Sequence, residues 1–391
     1  MSWLFFIVLI DSIGFGIILP LLPVFALKFE LGAMHLGLLT AIFSFCQLIT
    51  APILGALSDR MGRKNILVIC LIAIAGSYFI LASATTFAVA LIARVLAGMF
   101  TGNISVVLAS VSDISSNNNR AKYMGIIGAG TGLGFMLGPI IGGFLAGTSV
   151  EHANLSLVFN IAGICTGTAG ILAFIFFKET LDKTDKTQQS NFVALASITI
   201  KNIFNNQSAM FLIYLSIFMW FAFASINVFL TTWSVDKFNL SPFHLGVIGT
   251  TFAFLSATVQ VISPHYISGK KAILLGFLMS GISTLALTLN PSMNMLIVIV
   301  VFLAMGLGFL FPNLNASLSF FGNKNEKGFI LGLSQSASTL GQTIGPLVIG
   351  VCYNLFPINV SWVIIAVSFF LAGLLTIKHM LTASVINYKE L

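Results

Sequence analysis

Gly55-Ala-Leu-Ser-Asp-Arg-Met-Gly-Arg-Lys-Asn-Ile-Leu67 gathers Asp59, Arg60, Arg63 and Lys64 into a short turn between two long apolar runs. The chain around it is nearly uncharged, so charge concentrated at one turn has a task. Gly55 and Gly62 are read as permitting a tight turn and close helix approach. Asp59 is read as offering a carboxylate to a neighbouring helix N-terminus, while Arg60, Arg63 and Lys64 hold the turn on one face of a membrane.

Composition supports the membrane. Hydrophobic residues make up 58% of the 391, charged residues only 7%, and the mean hydropathy is +1.04, more apolar surface than a soluble domain can hide. A spanning helix needs about 20 apolar residues to cross about 30 Å of hydrocarbon. Twelve such runs lie at about 3–27, 36–57, 65–84, 86–112, 122–147, 155–177, 208–232, 243–263, 271–289, 293–316, 327–352 and 358–380. Little chain is left for an extramembrane catalytic domain, so no enzyme activity is expected.

A net charge of +7 raises nucleic acid as a partner, and the placement of the basic residues excludes it. Arg60, Arg63, Lys64, Arg120, Lys122, Lys178, Lys183, Lys186, Lys201, Lys270, Lys271, Lys324, Lys327, Lys378 and Lys389 fall in alternate loops or the C-terminal tail, against only Lys28 and Lys237 in the opposite loops and Arg94 within a helix. That bias marks the cytoplasmic side and puts both termini there. The chain opens Met-Ser-Trp and enters its first apolar run without the pattern of a cleavable signal, so the first helix is expected to serve as its own targeting signal. Cys46, Cys70, Cys165 and Cys352 sit one per helix without metal or redox spacing and are read as packing residues.

Sliding the chain against itself by 207 residues (62 to 269) lays Gly62-Arg63-Lys64 on Gly269-Lys270-Lys271, Arg120 on Lys327, Gly134 on Gly341, and Gly138-Pro139 on Gly345-Pro346. A duplicated six-helix unit follows. The expected architecture is an all-α membrane protein of twelve transmembrane helices in two six-helix bundles. Residues 1–177 form the first bundle, 178–207 a cytoplasmic linker and 208–391 the second bundle.

Two ionisable residues stand inside apolar runs, where a charge costs at least about 2.5 kcal/mol and therefore marks a pathway or a partner. Asp11 lies about eight residues beyond the entry of the first helix, about 12 Å deep at 1.5 Å per residue. Arg94 enters from the opposite side and shares a helix face with Gly98, Thr101, Gly102, Ser105 and Ser112, a small polar stripe suited to a wet cavity. Asn103, half a turn away on the wheel, is expected to face another helix. Estimated depths leave Asp11 and Arg94 about 5 Å apart along the membrane normal, a gap that an arginine side chain or a water can bridge.

In the fifth helix Gly130-Thr-Gly-Leu-Gly-Phe-Met-Leu-Gly-Pro-Ile-Ile-Gly-Gly143 spaces Gly134, Gly138, Gly142 and Gly143 around Pro139, a face for close packing and a bend. Polar residues at helical spacing nominate a substrate cavity: Gln47, Trp220, Asn227, Gln260, Asn313 and Gln335. With 37 phenylalanines and 13 methionines they suit an amphipathic ligand. The five histidines lie near loops or ends without ligand spacing, so no metal and no hydrolytic triad is expected. Without a phosphate-binding Gly-x-x-x-x-Gly-Lys-Ser/Thr loop, no nucleotide or other cofactor is expected, and a transmembrane gradient is the remaining energy source.

These motifs carry a family resemblance. Gly55 to Leu67 resembles the G-x-L-x-D-R-x-G-R-[KR] signature after the second helix of major facilitator superfamily transporters. Gly130 to Gly143 resembles the G-x-x-x-G-P-x-x-G-G signature of that superfamily's proton antiporters, and Arg94 with Gly98 resembles the R-x-x-x-G core of its fourth-helix signature, implicated there in proton coupling. Phe176-Phe-Lys-Glu-Thr180 closes the sixth helix in the family's manner. Over most of the chain the resemblance is to the tetracycline and multidrug branch. Tyr266 stands where Asp59 would be repeated, and Ser77-Tyr78 and Ser280-Gly281 stand where tetracycline antiporters carry carboxylates, which points away from tetracycline itself.

The resemblance implies alternating access of two bundles about a midplane cavity, with a small molecule leaving as protons enter and Asp11 as the main proton carrier. It implies a cytoplasmic latch of Asp59, Arg63 and Asp113, with Arg120 beside it, and a monomer in the bacterial inner membrane. Three functions compete: efflux of amphipathic drugs, transport of one solute such as a siderophore, sugar or amino acid, and a non-transporting membrane sensor.

Overall fold

A computed structural model describes residues 2–115, 119–180, 207–263, 266–267, 269–319 and 327–382. The linker expected at 178–207 falls mostly outside the described residues, as does His265.

The described chain is helical: α1 (Ser2–Ile18), α2 (Leu21–Lys28), α3 (Ala33–Met61), α4 (Arg63–Ala82), α5 (Phe87–Phe100), α6 (Asn103–Ile114), α7 (Arg120–Ala146) and α8 (Leu155–Phe176). There follow α9 (Gln207–Phe238), α10 (Pro242–Ile262), α11 (Gly269–Ala286), α12 (Met293–Ser319), α13 (Lys327–Leu355) and α14 (Ile358–Thr382). Two breaks join helices into single spans. Pro20 lacks the N–H that would continue α1 into α2, and Thr101-Gly102 forms a turn between α5 and α6. Counting each broken pair once leaves twelve transmembrane helices, the all-α fold expected from the apolar runs.

Eleven of these segments are long and apolar enough to cross a membrane on composition alone. The twelfth, α13, is as long as α3 but carries Ser334, Gln335, Ser336, Ser338, Thr339, Gln342 and Thr343. Buried hydroxyls such as Ser338 and Thr343 bond back to the carbonyl four residues earlier, which removes an unpaired polar group from a dry interior.

The chain divides into two compact units. The first comprises Met1–Thr187, Ile226–Ala253 and Pro346–Asn354; the second comprises Gln188–Ser225, Phe254–Gly345 and Leu355–Leu391. In the first, Leu4, Ile7 and Val8 of α1 pack with Leu67 and Leu71 of α4, Val107 and Val111 of α6 and Ala173 of α8. In the second, Trp362 and Phe369 of α14 and Phe277 of α11 are fully buried. Phe144 and Phe174 are instead about two-thirds exposed or more (72% and 65%), which is where lipid takes the place of a protein core.

Candidate functional site

The charged hinge is a network centred on Arg63. Gly62, with φ +101, reverses the chain between α3 and α4 in a conformation that favours glycine. Arg63 is buried. Its Nη1 donates to Ser58 Oγ at 2.7 Å and pairs with Asp59, and its Nε donates to Asp113 Oδ2 at 3.0 Å. Ser58 Oγ passes the chain on to the Gly55 carbonyl at 2.7 Å. Just past α8, Glu179 accepts from the backbone N–H of Arg63 at 2.9 Å and of Lys64 at 3.3 Å. Thr180 Oγ1 donates to Asp113 Oδ2 at 3.3 Å.

Asp59, Gly62, Arg63 and Asp113 are thus brought together as the motif implied. Two expectations change. The carboxylate at a helix N-terminus is Glu179, not Asp59, because Asp59 one turn before Arg63 is already held by its guanidinium. Gly55 makes no close helix approach, since a Cβ there would meet nothing within 4 Å; its contribution is its carbonyl. Arg60 is exposed, and Lys64 sets its ammonium 5.5 Å from the centre of the Phe174 ring. Arg120 opens α7, and its side chain lies outside the described residues. Ser58, Glu179 and Thr180 were not anticipated, although Glu179 and Thr180 fall inside the stretch that closes the sixth helix.

The intramembrane cluster lies in the same unit. Asp11 Oδ2 accepts from Asn103 Nδ2 at 2.8 Å. Asn103 is only 4% exposed, and Thr166 of α8 is the carboxyl's second polar neighbour. Arg94 turns elsewhere: its Nε donates to the Leu39 carbonyl at 3.1 Å, and its guanidinium lies 4.2 Å from the centre of the Phe43 ring. Among the described residues no ion pair joins Asp11 to Arg94. Tyr78, buried on α4, lies within electrostatic reach of both. Gly98 explains the position of Arg94, because a Cβ there would collide with the Phe43 carbonyl, so glycine lets α5 close on α3. Phe15, one turn after Asp11, lies 5.6 Å from Phe43 and 5.7 Å from Phe135 between ring centres.

The glycine run of α7 serves two neighbours. A Cβ on Gly138 would come within 2.6 Å of Gly16 Cα, and one on Gly142 within 2.8 Å of the Ile17 carbonyl oxygen. Gly134 faces Ser12 in the same way. This stripe fixes the helix that carries Asp11. Gly143 and Pro139 face α10 instead: a Cβ on Gly143 would come within 2.6 Å of the Pro242 carbonyl oxygen and 3.0 Å of Gly246 Cα. The repeat is visible in packing, since Gly350 and Pro346 of α13 meet Gly37 of α3 as Gly143 and Pro139 meet Gly246.

The remaining candidates scatter. Trp220 of α9 packs with Phe223 and Phe311 at 5.3 and 5.2 Å between ring centres. Asn313 Oδ1 accepts from Gly269 N–H at 2.9 Å and its Nδ2 donates to the Phe309 carbonyl at 2.8 Å, so its amide braces α12 against the start of α11. Gln260 donates to Ser256 Oγ within its own helix at 3.3 Å. Gln47 and Asn227 are half-buried and Gln335 is exposed.

A family model described as Major Facilitator Superfamily matches residues 4–268 and 235–384. The chain is 31% identical over 400 residues to the class B tetracycline resistance protein of Escherichia coli, covering 98% of this chain and 96% of that protein. It is 30% identical over 360 residues to the quinolone resistance protein NorA of Staphylococcus aureus, covering 90% and 89%. A bacterial homologue of the human lysosomal transporter Spinster superposes with a TM-score of 0.82 at 16% identity, covering 100% of this chain and 98% of that one.

Proposed function

We propose that this chain, which belongs to the major facilitator superfamily, exports an amphipathic small molecule in exchange for protons by alternating access. Membership makes it a membrane transporter rather than an enzyme. The observation that carries the proton reading is the carboxyl of Asp11 inside a spanning helix, hydrogen-bonded to an amide at 2.8 Å and without a basic partner among the described residues. Such a carboxyl is free to gain and lose a proton, whereas an ion-paired one is held charged. Phe15, one turn after Asp11 on α1, contacts Phe43 and Phe135, and this aromatic surface suits a ligand with an apolar body.

The Arg63 network serves as a cytoplasmic latch, holding α3, α4, α6 and the segment after α8 in one arrangement during part of the cycle. The glycine stripe of α7 packs backbone to backbone against α1 and so sets the place of Asp11. Residues 1–177 and 208–391 are the two six-helix bundles, joined by the linker, with both termini cytoplasmic in a bacterial inner membrane and the monomer as the working unit. Drugs are favoured over a single solute because the curated relatives are tetracycline and quinolone resistance proteins.

The test is proton movement in proteoliposomes under an imposed pH gradient, challenged with tetracyclines, quinolones, lipophilic cations, siderophores and amino acids. Proton flux driven by a drug in the wild type and absent in Asp11→Asn supports antiport through Asp11. A panel that binds but drives no proton flux would overturn it.

A further inference from the structure

The span Phe87–Ile114 is one apolar run with a break built into it. Thr101 (φ −71, ψ 4) and Gly102 (φ −67, ψ 0) leave helical geometry between α5 and α6. The Thr101 hydroxyl bonds back to the Ala97 carbonyl, and a Cβ on Gly102 would come within 2.9 Å of Ala51 Cα on α3. The break makes Asn103 the first residue of α6 and sets its amide 2.8 Å from Asp11 Oδ2. A buried amide at such a point needs a partner, and the partner it has is the carboxyl of another helix.

The chemistry of the pair is specific. A carboxyl that changes charge must exchange an acceptor-only form for one with an O–H donor. Asparagine serves both, because Nδ2–H donates to the carboxylate and Oδ1 accepts from the acid once the amide turns over. In each state the carboxyl then keeps an amide partner, and a buried carboxyl without one would cost about 1–3 kcal/mol. A lysine or arginine at this place would hold the carboxyl charged, and a leucine would leave it without its amide. Thr166 on α8 is a further polar neighbour, and Cys70 and Tyr78 on α4 are titratable side chains within electrostatic reach of the carboxyl.

We propose that Asn103 is the positioning residue for the proton on Asp11, holding the carboxyl across the break between α5 and α6 in both of its protonation states. The proposal rests on the reading of Asp11 as proton carrier. It adds that the amide, not Arg94, is the group through which that carrier is held.

The experiment is infrared difference spectroscopy of the full chain in lipid nanodiscs on acidification, which reads the C=O stretch of a protonated buried carboxyl and needs no substrate. The wild type shows such a band, Asp11→Asn lacks it, and Asn103→Leu keeps it at a displaced position because the carboxyl has lost its amide. The exchanged pair Asp11→Asn with Asn103→Asp retains the volume and both groups, and restores the band at its wild-type position. A band unmoved in Asn103→Leu, or absent from the exchanged pair, would overturn the assignment to Asn103 while leaving Asp11 as carrier. A band that survives in Asp11→Asn would remove the carrier itself, and this proposal with it.

Discussion

The carboxylate of Glu179 accepts the backbone N–H of Arg63 at 2.9 Å, so the first residues beyond α8 cap the N-terminus of α4. Orphan N–H groups at a helix start carry partial positive charge, and a carboxylate there both completes hydrogen bonds and opposes the helix dipole. The same residue meets Gly62, where a Cβ would collide with Glu179 Oε2. Glu179→Ala is expected to lower stability by about 1 kcal/mol, the usual loss for a removed cap, and Glu179→Gln by less, since the amide oxygen still accepts. Thermal unfolding in detergent checks the order. Equal melting temperatures for wild type and Glu179→Ala would show that the cap contributes nothing.

Arg63 reaches Ser58, Asp59 and Asp113 from one planar guanidinium. Lysine offers a point charge and cannot hold that fork. Arg63→Lys is therefore expected to lose most exchange activity despite keeping its charge. Asp59→Asn and Asp113→Asn share the guanidinium, so their effects on exchange rate should combine non-additively, with a coupling of about 0.5–1 kcal/mol. The Asp59 side chain is 43% exposed, which keeps that figure low and sensitive to salt. Strict additivity in a double-mutant cycle would show that the two carboxylates do not act through one residue.

Much of this is legible in the sequence. The bilayer demands about 20 apolar residues per crossing, so spans such as 36–57 or 155–177 announce themselves within a few residues of α3 and α8. The hinge was legible because charge is scarce around it. Asn103 was not legible as the partner of Asp11, because a helical wheel drawn over 86–112 assumes an unbroken helix. The turn at Thr101-Gly102 resets the phase at the residue that matters. Glu179 was hidden for a different reason: its partner lies 116 residues earlier, at a turn it reaches only after the chain leaves α8. Asn313 looked like a cavity amide by periodicity, and its two hydrogen bonds show a brace, a choice that helical spacing alone leaves open.

The glycines of α7 separate into packed and open positions, which gives a controlled comparison. A Cβ on Gly132 would meet nothing within 4 Å, whereas one on Gly143 would press on Pro242 and Gly246. Gly132→Ala is expected to be neutral or to stabilise by up to about 1 kcal/mol through helix propensity. Gly143→Ala is expected to cost about 1–3 kcal/mol through overpacking and to slow exchange. Melting temperatures and flux rates measured side by side decide it, and a Gly143→Ala protein that transports at the wild-type rate would dismiss the α7 to α10 contact as a constraint.

Arg94 provides the last comparison. Its guanidinium lies over Phe43 at 4.2 Å and its Nε bonds to Leu39 O at 3.1 Å, both on α3, while Gly98 one turn later lets α5 come close enough for both. A buried stack of this kind contributes about 2 kcal/mol when desolvated, and the ammonium of Arg94→Lys would keep the charge but lose the plane. Arg94→Lys and Phe43→Leu should therefore each destabilise the protein, and the double variant should be no worse than Arg94→Lys alone by more than about 0.5 kcal/mol, the limit within which independent effects would instead add. Gly98→Ala should reproduce the defect from the backbone side, because its Cβ would push α5 away from the Phe43 carbonyl. If Gly98→Ala left both stability and exchange intact while Arg94→Lys abolished exchange, the role of Arg94 would lie in contact with substrate or proton and not in joining α5 to α3.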